Sequence, residues 1–245
     1  MSEITNDRFI DFLNTFNDKK YRNNKFYDTI TDISRKKTGK QDALIENDFR
    51  MYSLDDIAKG SEILSLNLPK TTDALFYKEN PDGSLSLYFI EFKFHNLDDR
   101  DAEDLLYNLV DEIYAEPKKL KCVEKYKKDL NKIKQYYGDD VKHTLILKPI
   151  ESIKVAIPKL YKEFDTDIDE KDVEIYLDGI EKNLYVFVST YTEDGKYNRH
   201  KERMDSMSIG LEKHFDRLIS GNIIDNYAIH PRSYFDNFLK SEILS

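Results

Sequence analysis

The chain has little of several features that mark familiar protein classes. Its single cysteine, Cys122, excludes an internal disulfide and favours a reducing compartment, so we expect a cytoplasmic protein. Only 8 of its 245 residues are glycine, which disfavours the glycine-rich loops that bind nucleotide phosphates. No apolar run approaches the roughly 18 residues of a membrane helix, and the N-terminus lacks a signal-peptide pattern. We therefore expect no membrane association.

The charge and size of the chain further limit the classes of protein to which it could belong. The formal net charge is −9 at pH 7, which disfavours a protein that coats nucleic acid through overall positive charge. An enzyme with a local basic groove is still compatible with that charge. The hydrophobic fraction of 40% supports a sizeable core, and 245 residues suit one large domain or one domain with an elaboration. The five histidines show no zinc-ligand spacing, and there is no nucleophile elbow and no Walker loop.

A β-hairpin is predicted between Thr72 and His95. Two apolar, aromatic-rich runs flank the turn sequence Asn80-Pro81-Asp82-Gly83. This sequence favours a type I turn followed by a left-handed glycine, which makes a three-residue loop in which Asn80 pairs with Ser84. Both faces of the two runs are largely apolar, so we expect an interior hairpin that is covered on two sides.

Three charged residues lie inside these apolar runs: Asp73, Glu91 and Lys93. The three-residue loop puts Asp73 directly opposite Glu91, with Cβ atoms about 4.5–5.5 Å apart, and strand parity puts Lys93 on the same face. Two carboxylates this close repel each other unless a cation or a proton lies between them, and Mg²⁺ (or Mn²⁺) suits such a pair. A two-residue turn at Asp82-Gly83 would instead pair Asp73 with Phe92 and put the acids on opposite faces.

The apolar periodicity predicts an α/β chain around this hairpin. Helices are predicted at residues 4–16, 41–52, 53–60, 97–137 (interrupted at Pro117), 158–164, 205–220 and 232–244, with a loop at 18–40. Strands are predicted at Ile63–Leu68, Val141–Leu147, Val173–Leu177 and Leu184–Tyr191, besides the two strands of the hairpin.

The predicted elements follow the order helix, strand, hairpin with Asp73 and then Glu91-Phe92-Lys93, helix and further strand. This order resembles the core of the PD-(D/E)XK nuclease superfamily, the fold of many restriction endonucleases. The resemblance covers about residues 41–148. Thr72 stands where many members have proline, and the helix after Lys93 lacks the Gln-x-x-x-Tyr of the RecB-like branch. The resemblance implies an α/β fold with a mixed central β-sheet flanked by helices. We expect an N-terminal helix and polar segment at 1–40, a restriction-endonuclease-like core at 41–148 and a C-terminal α/β extension at 149–245, packed together as one domain.

The resemblance also implies a function, a metal-dependent endo- or exonuclease that hydrolyses phosphodiester bonds in DNA. Asp73 and Glu91 would bind Mg²⁺ or Mn²⁺, and Lys93 would position the attacking water. Many members carry a further acid on the first helix, for which Glu46 is the candidate, although an ordinary solvated helix acid explains it equally well. Because nucleases of this fold often cut both strands as dimers, a homodimer is also implied.

A stripe of lysines supplies candidate DNA contacts. Its members are Lys118, Lys121, Lys125, Lys128 and Lys132. Eight lysines and two acids give residues 118–134 a net charge of +6, which suits phosphate binding. The alternative is the solvated face of an amphipathic helix. His95 lies on the acids' face by parity and could contact a phosphate. For the whole protein the alternative is a catalytically inactive nuclease-fold protein with an interaction or regulatory role.

Overall fold

The computed structural model of the protein describes residues 4–36, 43–65, 67–93, 144–188 and 212–245. Its helices are α1 (Asn6–Asn14), α2 (Ile30–Lys36), α3 (Leu54–Gly60), α4 (Glu62–Ser65), α5 (residues 144–151), α6 (Ile157–Phe164), α7 (Glu170–Asp178), α8 (residues 212–220) and α9 (Phe235–Phe238). A π-helical turn, Ser152–Ala156, joins α5 to α6. A 3₁₀ turn, Arg232–Tyr234, precedes α9, and a π-helical turn, Leu239–Ile243, follows it. The strands are β1 (Lys20–Tyr21), β2 (Asn24–Lys25), β3 (Tyr27–Thr29), β4 (Arg50–Tyr52), β5 (Ala74–Glu79), β6 (Leu85–Lys93), β7 (Glu181–Val188) and β8 (Asn226–Pro231).

Six of these strands form one mixed sheet in the order β3-β4-β5-β6-β7-β8. Neighbouring strands are antiparallel from β3 to β6 and parallel from β6 to β8. The parallel pairing of β6 with β7 requires a long crossover, and α5, α6 and α7 lie on that crossover. The predicted α/β class, with a mixed sheet flanked by helices, is confirmed.

The hairpin has the register of the three-residue loop. Asn80 N donates to Ser84 O at 2.8 Å, and Gly83 takes a left-handed φ of 81°. The ladder runs from Glu79 opposite Leu85 to Ala74 opposite Ile90. The predicted register is therefore confirmed and the two-residue turn is wrong.

Both faces of the hairpin are covered, as the sequence predicts. Every residue of β6 from Leu85 to Phe92 is buried. On one face Phe89 belongs to a core that includes Phe12 of α1 and Tyr161 of α6. On the other face Ile90 belongs to a second core, built with α2 and the C-terminal helical segment. The sheet thus lies between two helical layers, and Glu91, the charged residue between Leu85 and Phe92, is buried.

Three predicted strands are wrong, and all three are short apolar runs. Residues 144–147 are helical rather than part of a strand at Val141–Leu147, and β7 takes the place beside β6. The predicted strand Val173–Leu177 lies in α7, where Val173 and Leu177 are both buried one turn apart. The predicted strand at Ile63–Leu68 begins instead as helix α4. A short apolar run fits a buried helix as well as a strand, which explains these errors.

The N-terminal part also differs from its prediction. Residues 43–49 contain no helix, and the three residues after them form β4. The predicted loop at 18–40 contains β1, β2, β3 and α2. Strands of two or three residues are too short to give a readable alternation. The helices at 4–16, 53–60, 158–164 and 232–244 are confirmed to within a few residues, as is the described part of the one at 205–220.

The remaining predictions concern the C-terminal segment, the helices after the hairpin and the absence of a membrane helix. The segment predicted as a C-terminal extension contributes β7 and β8 to the same sheet as the hairpin. The helices predicted between residues 97 and 137 lie outside the described residues. Within the part of the chain that the structure describes, no helix is long and apolar enough to cross a membrane.

Candidate active site

Asp73 and Glu91 lie at one edge of the central sheet. Asp73 immediately precedes β5 and takes the next opposed position beyond the Ala74–Ile90 pair, facing Glu91. The parallel strands β6, β7 and β8 all end at this edge, where ligand sites of open α/β sheets usually lie. The two side chains are 0% and 2% exposed. Burial of two ionised carboxylates is costly without compensating charge or hydrogen bonds, so the surroundings of this pair decide its role.

Backbone and helix contacts fix the position of Asp73. The amide of Phe92 donates to Asp73 Oδ2 at 2.9 Å, which ties the carboxylate to β6. The amide of Thr72 donates to Ser152 Oγ at 2.9 Å, and that hydroxyl donates to Lys148 O at 2.7 Å. The start of β5 is thus bonded to the helix that carries Lys148, and the acid and the lysine are held in one framework.

Among the described residues, Lys148 is the cation closest to both acids. Its Nζ lies 2.9 Å from Asp73 Oδ1 and 2.6 and 2.8 Å from the two oxygens of Glu91. Its side chain is only 12% exposed. Charge-assisted bonds of this length in a buried site compensate much of the cost of desolvating the carboxylates.

Sequence reasoning missed Lys148 because its segment reads as a strand that ends at Pro149. A signal was nevertheless present. Leu145, Lys148, Ser152 and Ala156 recur at helical spacing, and Leu145, Ser152 and Ala156 are all buried. A lysine on the inward face of a helix needs an anionic partner, and the two opposed acids of the hairpin are such a partner. The two observations together could have paired them.

Lys93 lies at the more open side of the cluster. Its Nζ is 3.2 Å from Glu91 Oε1, and its side chain is 24% exposed. The structure therefore brings together Asp73, Glu91 and Lys93, as the register argument predicts. With Lys148 the group contains two carboxylates and two ammonium groups, whose formal charges cancel.

The other predicted site residues do not join this cluster in the described structure. Glu46 is exposed and lies outside any helix, so its prediction as an acid of the first helix is wrong. Among the described residues no three or more His, Cys, Asp or Glu side chains form a group that could hold a metal ion, so Glu46 does not complete a ligand set with Asp73 and Glu91. His95 and the five lysines at 118, 121, 125, 128 and 132 lie outside the described residues.

The donor set of the cluster nevertheless fits Mg²⁺. This ion keeps several waters and is commonly held by one or two carboxylates together with phosphate oxygens of the substrate. Asp73 and Glu91 supply two buried carboxylates, and Lys93 connects them to the solvent side. A two-carboxylate magnesium site is therefore compatible with the residues present.

Comparison with known proteins identifies no relative of this chain. No family model matches it, and neither the curated proteins nor the solved structures contain a significant match. The restriction-endonuclease-like core stays a prediction. What supports it is the chain's own geometry: the hairpin register, the burial of the two acids, and the order and direction of the strands.

Proposed function

We propose that the protein is a metal-dependent nuclease of the PD-(D/E)XK type that hydrolyses phosphodiester bonds in DNA. One observation carries the proposal. Asp73, one residue before β5, and Glu91 of β6 are both buried and both contact the Lys148 ammonium, and Lys93 lies beside Glu91 at 3.2 Å. Charges of this kind in the interior of a sheet are expensive and are commonly kept for chemistry.

The architecture supports the same proposal. The family's order of helix, strand, hairpin, helix and further strand is available in this chain as α2, β4, β5 with β6, the α5–α6 segment, and β7, with α3 and α4 inserted between β4 and β5. β7 runs parallel to β6 in the same sheet, so the order spans residues 30–188 rather than 41–148.

The residues of the cluster suit distinct roles in hydrolysis. Asp73 and Glu91 would hold Mg²⁺. The bound ion would polarise the phosphodiester and lower the pKa of a coordinated water. Lys93, a quarter exposed and next to Glu91, is suited to orient the attacking water and to offset the negative charge that builds on the phosphate oxygens. The Phe92 amide donates to Asp73 Oδ2 and holds that carboxylate in position at the site.

A second candidate function follows from Lys148. Together with Lys93 it gives the two carboxylates two positive charges from the described part of the chain, so protein groups already stabilise the acids. This favours, as the alternative, a catalytically inactive nuclease-fold protein with an interaction or regulatory role, in which the acids only stabilise the fold.

A cleavage assay separates the two functions. Purified protein is incubated with supercoiled, linear duplex and single-stranded DNA and with RNA, in Mg²⁺ or Mn²⁺ and with EDTA as the blank. We expect metal-dependent cleavage of DNA and a fall of roughly a hundredfold or more for Asp73→Asn and Glu91→Gln. Asp165→Asn is the matched control, because Asp165 is also a nearly buried acid, 9% exposed, but pairs with Arg8.

The nuclease proposal fails under two results. Either the parent protein cuts no substrate with either metal, or the Asp73 and Glu91 variants cut as fast as Asp165→Asn. Circular dichroism of each variant confirms that it is folded, so that lost cleavage is not lost structure. The second candidate function is then the better account.

A further inference from the structure

The oxygens that a metal would need at this site are already bonded within the protein. Asp73 and Glu91 have four carboxylate oxygens. Three of them lie 2.6–2.9 Å from Lys148 Nζ, and the fourth accepts the Phe92 amide. A divalent cation that binds both carboxylates must therefore share or replace the contacts of Lys148.

The backbone of Lys148 is held in place, whereas its ammonium group is at the end of a flexible side chain. Ser152 Oγ donates to the Lys148 carbonyl at 2.7 Å, and the π-helical turn Ser152–Ala156 follows directly after α5. Such turns inside α-helices are frequent at functional sites. Four methylene groups separate the anchored backbone from Nζ, and the 12% exposure of the side chain gives the ammonium a route towards solvent.

A comparison with Lys182 shows what a purely structural buried lysine looks like in this chain. Its side chain is 2% exposed, and its Nζ donates to the backbone carbonyls of Leu177 and Ile180 at 2.8 and 2.7 Å. Its one carboxylate partner among the described residues is Asp225, which is half exposed and lies 3.5 Å away. The three short Lys148 contacts all go to the buried carboxylates of Asp73 and Glu91, which are the groups that Mg²⁺ and Mn²⁺ prefer.

We propose that Lys148 is an internal counter-ion that occupies the oxygens of Asp73 and Glu91 in the metal-free protein and leaves them when a divalent cation binds. The inference rests on the proposed function, because it assumes that the two acids are metal ligands. Charge repulsion is the physical reason. A divalent cation bound to both carboxylates would lie close to the Lys148 ammonium, which contacts the same oxygens at 2.6–2.9 Å, and repulsion between cations is strong in a buried site.

The proposal predicts that Lys148 weakens metal binding. A ligand's apparent dissociation constant rises in inverse proportion to the fraction of protein that is ready to bind, so a lysine that occupies the site in nine molecules of ten raises it about tenfold. Titration calorimetry with Mn²⁺ in the absence of DNA should therefore show that Lys148→Met binds about tenfold tighter than the parent. Lys154→Met, which removes a lysine paired with Asp178 from the same helical segment, should bind as the parent does.

A measurement on the unmutated protein covers the case in which Lys148→Met does not fold. Lysines are acetylated with an N-hydroxysuccinimide ester, with and without saturating Mn²⁺, and each site is followed by mass spectrometry. We expect Lys148 to react slowly without metal and several times faster with it, while Lys154 reacts at the same rate in both. Equal Lys148 rates with and without Mn²⁺, or unchanged or weaker Mn²⁺ binding by a folded Lys148→Met, would overturn the proposal.

The same data separate failure of this inference from failure of the proposed function. If the parent binds Mn²⁺ in a manner that Glu91→Gln abolishes, and cuts DNA, but Lys148 shows neither effect, only the counter-ion role is wrong. If Mn²⁺ binding is absent or is indifferent to Glu91→Gln, the acids are not metal ligands and both proposals fail.

Discussion

Replacement of Lys93 by methionine tests the catalytic role proposed for its ammonium group. The ammonium contacts Glu91 Oε1 at 3.2 Å from a side chain that is 24% exposed. A partly exposed ion pair of this kind contributes only about 0.2–1 kcal/mol to stability, and methionine preserves most of the apolar stem. Loss of a group that orients the nucleophile or stabilises developing charge lowers a rate by roughly 10²–10⁴, which is about 3–5 kcal/mol of activation free energy. Cleavage should therefore fall far more than the free energy of unfolding.

Two measurements on the same preparations test this separation. Initial cleavage rates of a labelled DNA duplex at saturating Mg²⁺ give the catalytic loss, and urea unfolding gives the stability change. Lys154→Met is the matched control, because Lys154 is 25% exposed and pairs with Asp178 at 2.6 Å. We expect it to cleave at the parental rate. Parental cleavage by Lys93→Met, or a loss of rate that follows a comparable loss of folding, would refute the role.

Three further predictions concern stability. Lys182→Met should lower the free energy of unfolding by about 2–4 kcal/mol in urea titrations, because the backbone carbonyls of Leu177 in α7 and of Ile180 just after it lose their charged donor. Gly83→Ala should cost about 1 kcal/mol by thermal unfolding, because φ is 81° while the space around a Cβ is open, so only backbone strain contributes. Burial raises the pKa of Tyr88 and of Tyr227 to about 12. The unfolded chain ionises first, near its ordinary value of about 10, so the free energy of unfolding should fall as the pH rises from about 10 to about 12.

Each of these stability predictions has a clear contrary result. A Lys182→Met protein as stable as the parent would mean that the two carbonyls find other donors. A loss well above 1 kcal/mol for Gly83→Ala would mean that the loop is packed rather than open. Unfolding free energies that stay level above pH 10, together with tyrosinate absorbance that rises at the ordinary pKa, would show that these hydroxyls are solvated.

The hairpin could be predicted because its register is set locally. Asn80-Pro81-Asp82-Gly83 fixes the loop, and the loop fixes every pair along the two strands down to the position of Asp73 and Glu91. No distant part of the chain is needed for that inference. The proximity of the two acids and of Lys93 followed from turn chemistry and strand parity alone.

Lys148 could not be placed in the same way, because its partners are remote in sequence. It lies 57 residues from Glu91, and its position depends on the crossover helix packing onto the hairpin. The apolar run before it suits a strand or a buried helix equally well. β8 was missed for a related reason: after Asn226 its residues are all half-buried, so the strand shows no alternation between apolar and polar positions.

Crystals of the protein grown with Mn²⁺ show whether Asp73 and Glu91 bind a metal, because the anomalous signal locates the ion without reference to activity. We expect one anomalous peak within coordination distance of carboxylate oxygens of both Asp73 and Glu91. We also expect this peak to be lost in crystals of Glu91→Gln. Occupied Mn²⁺ sites elsewhere on the protein, with no peak between these two carboxylates at millimolar metal, would contradict the metal-binding role of the two acids.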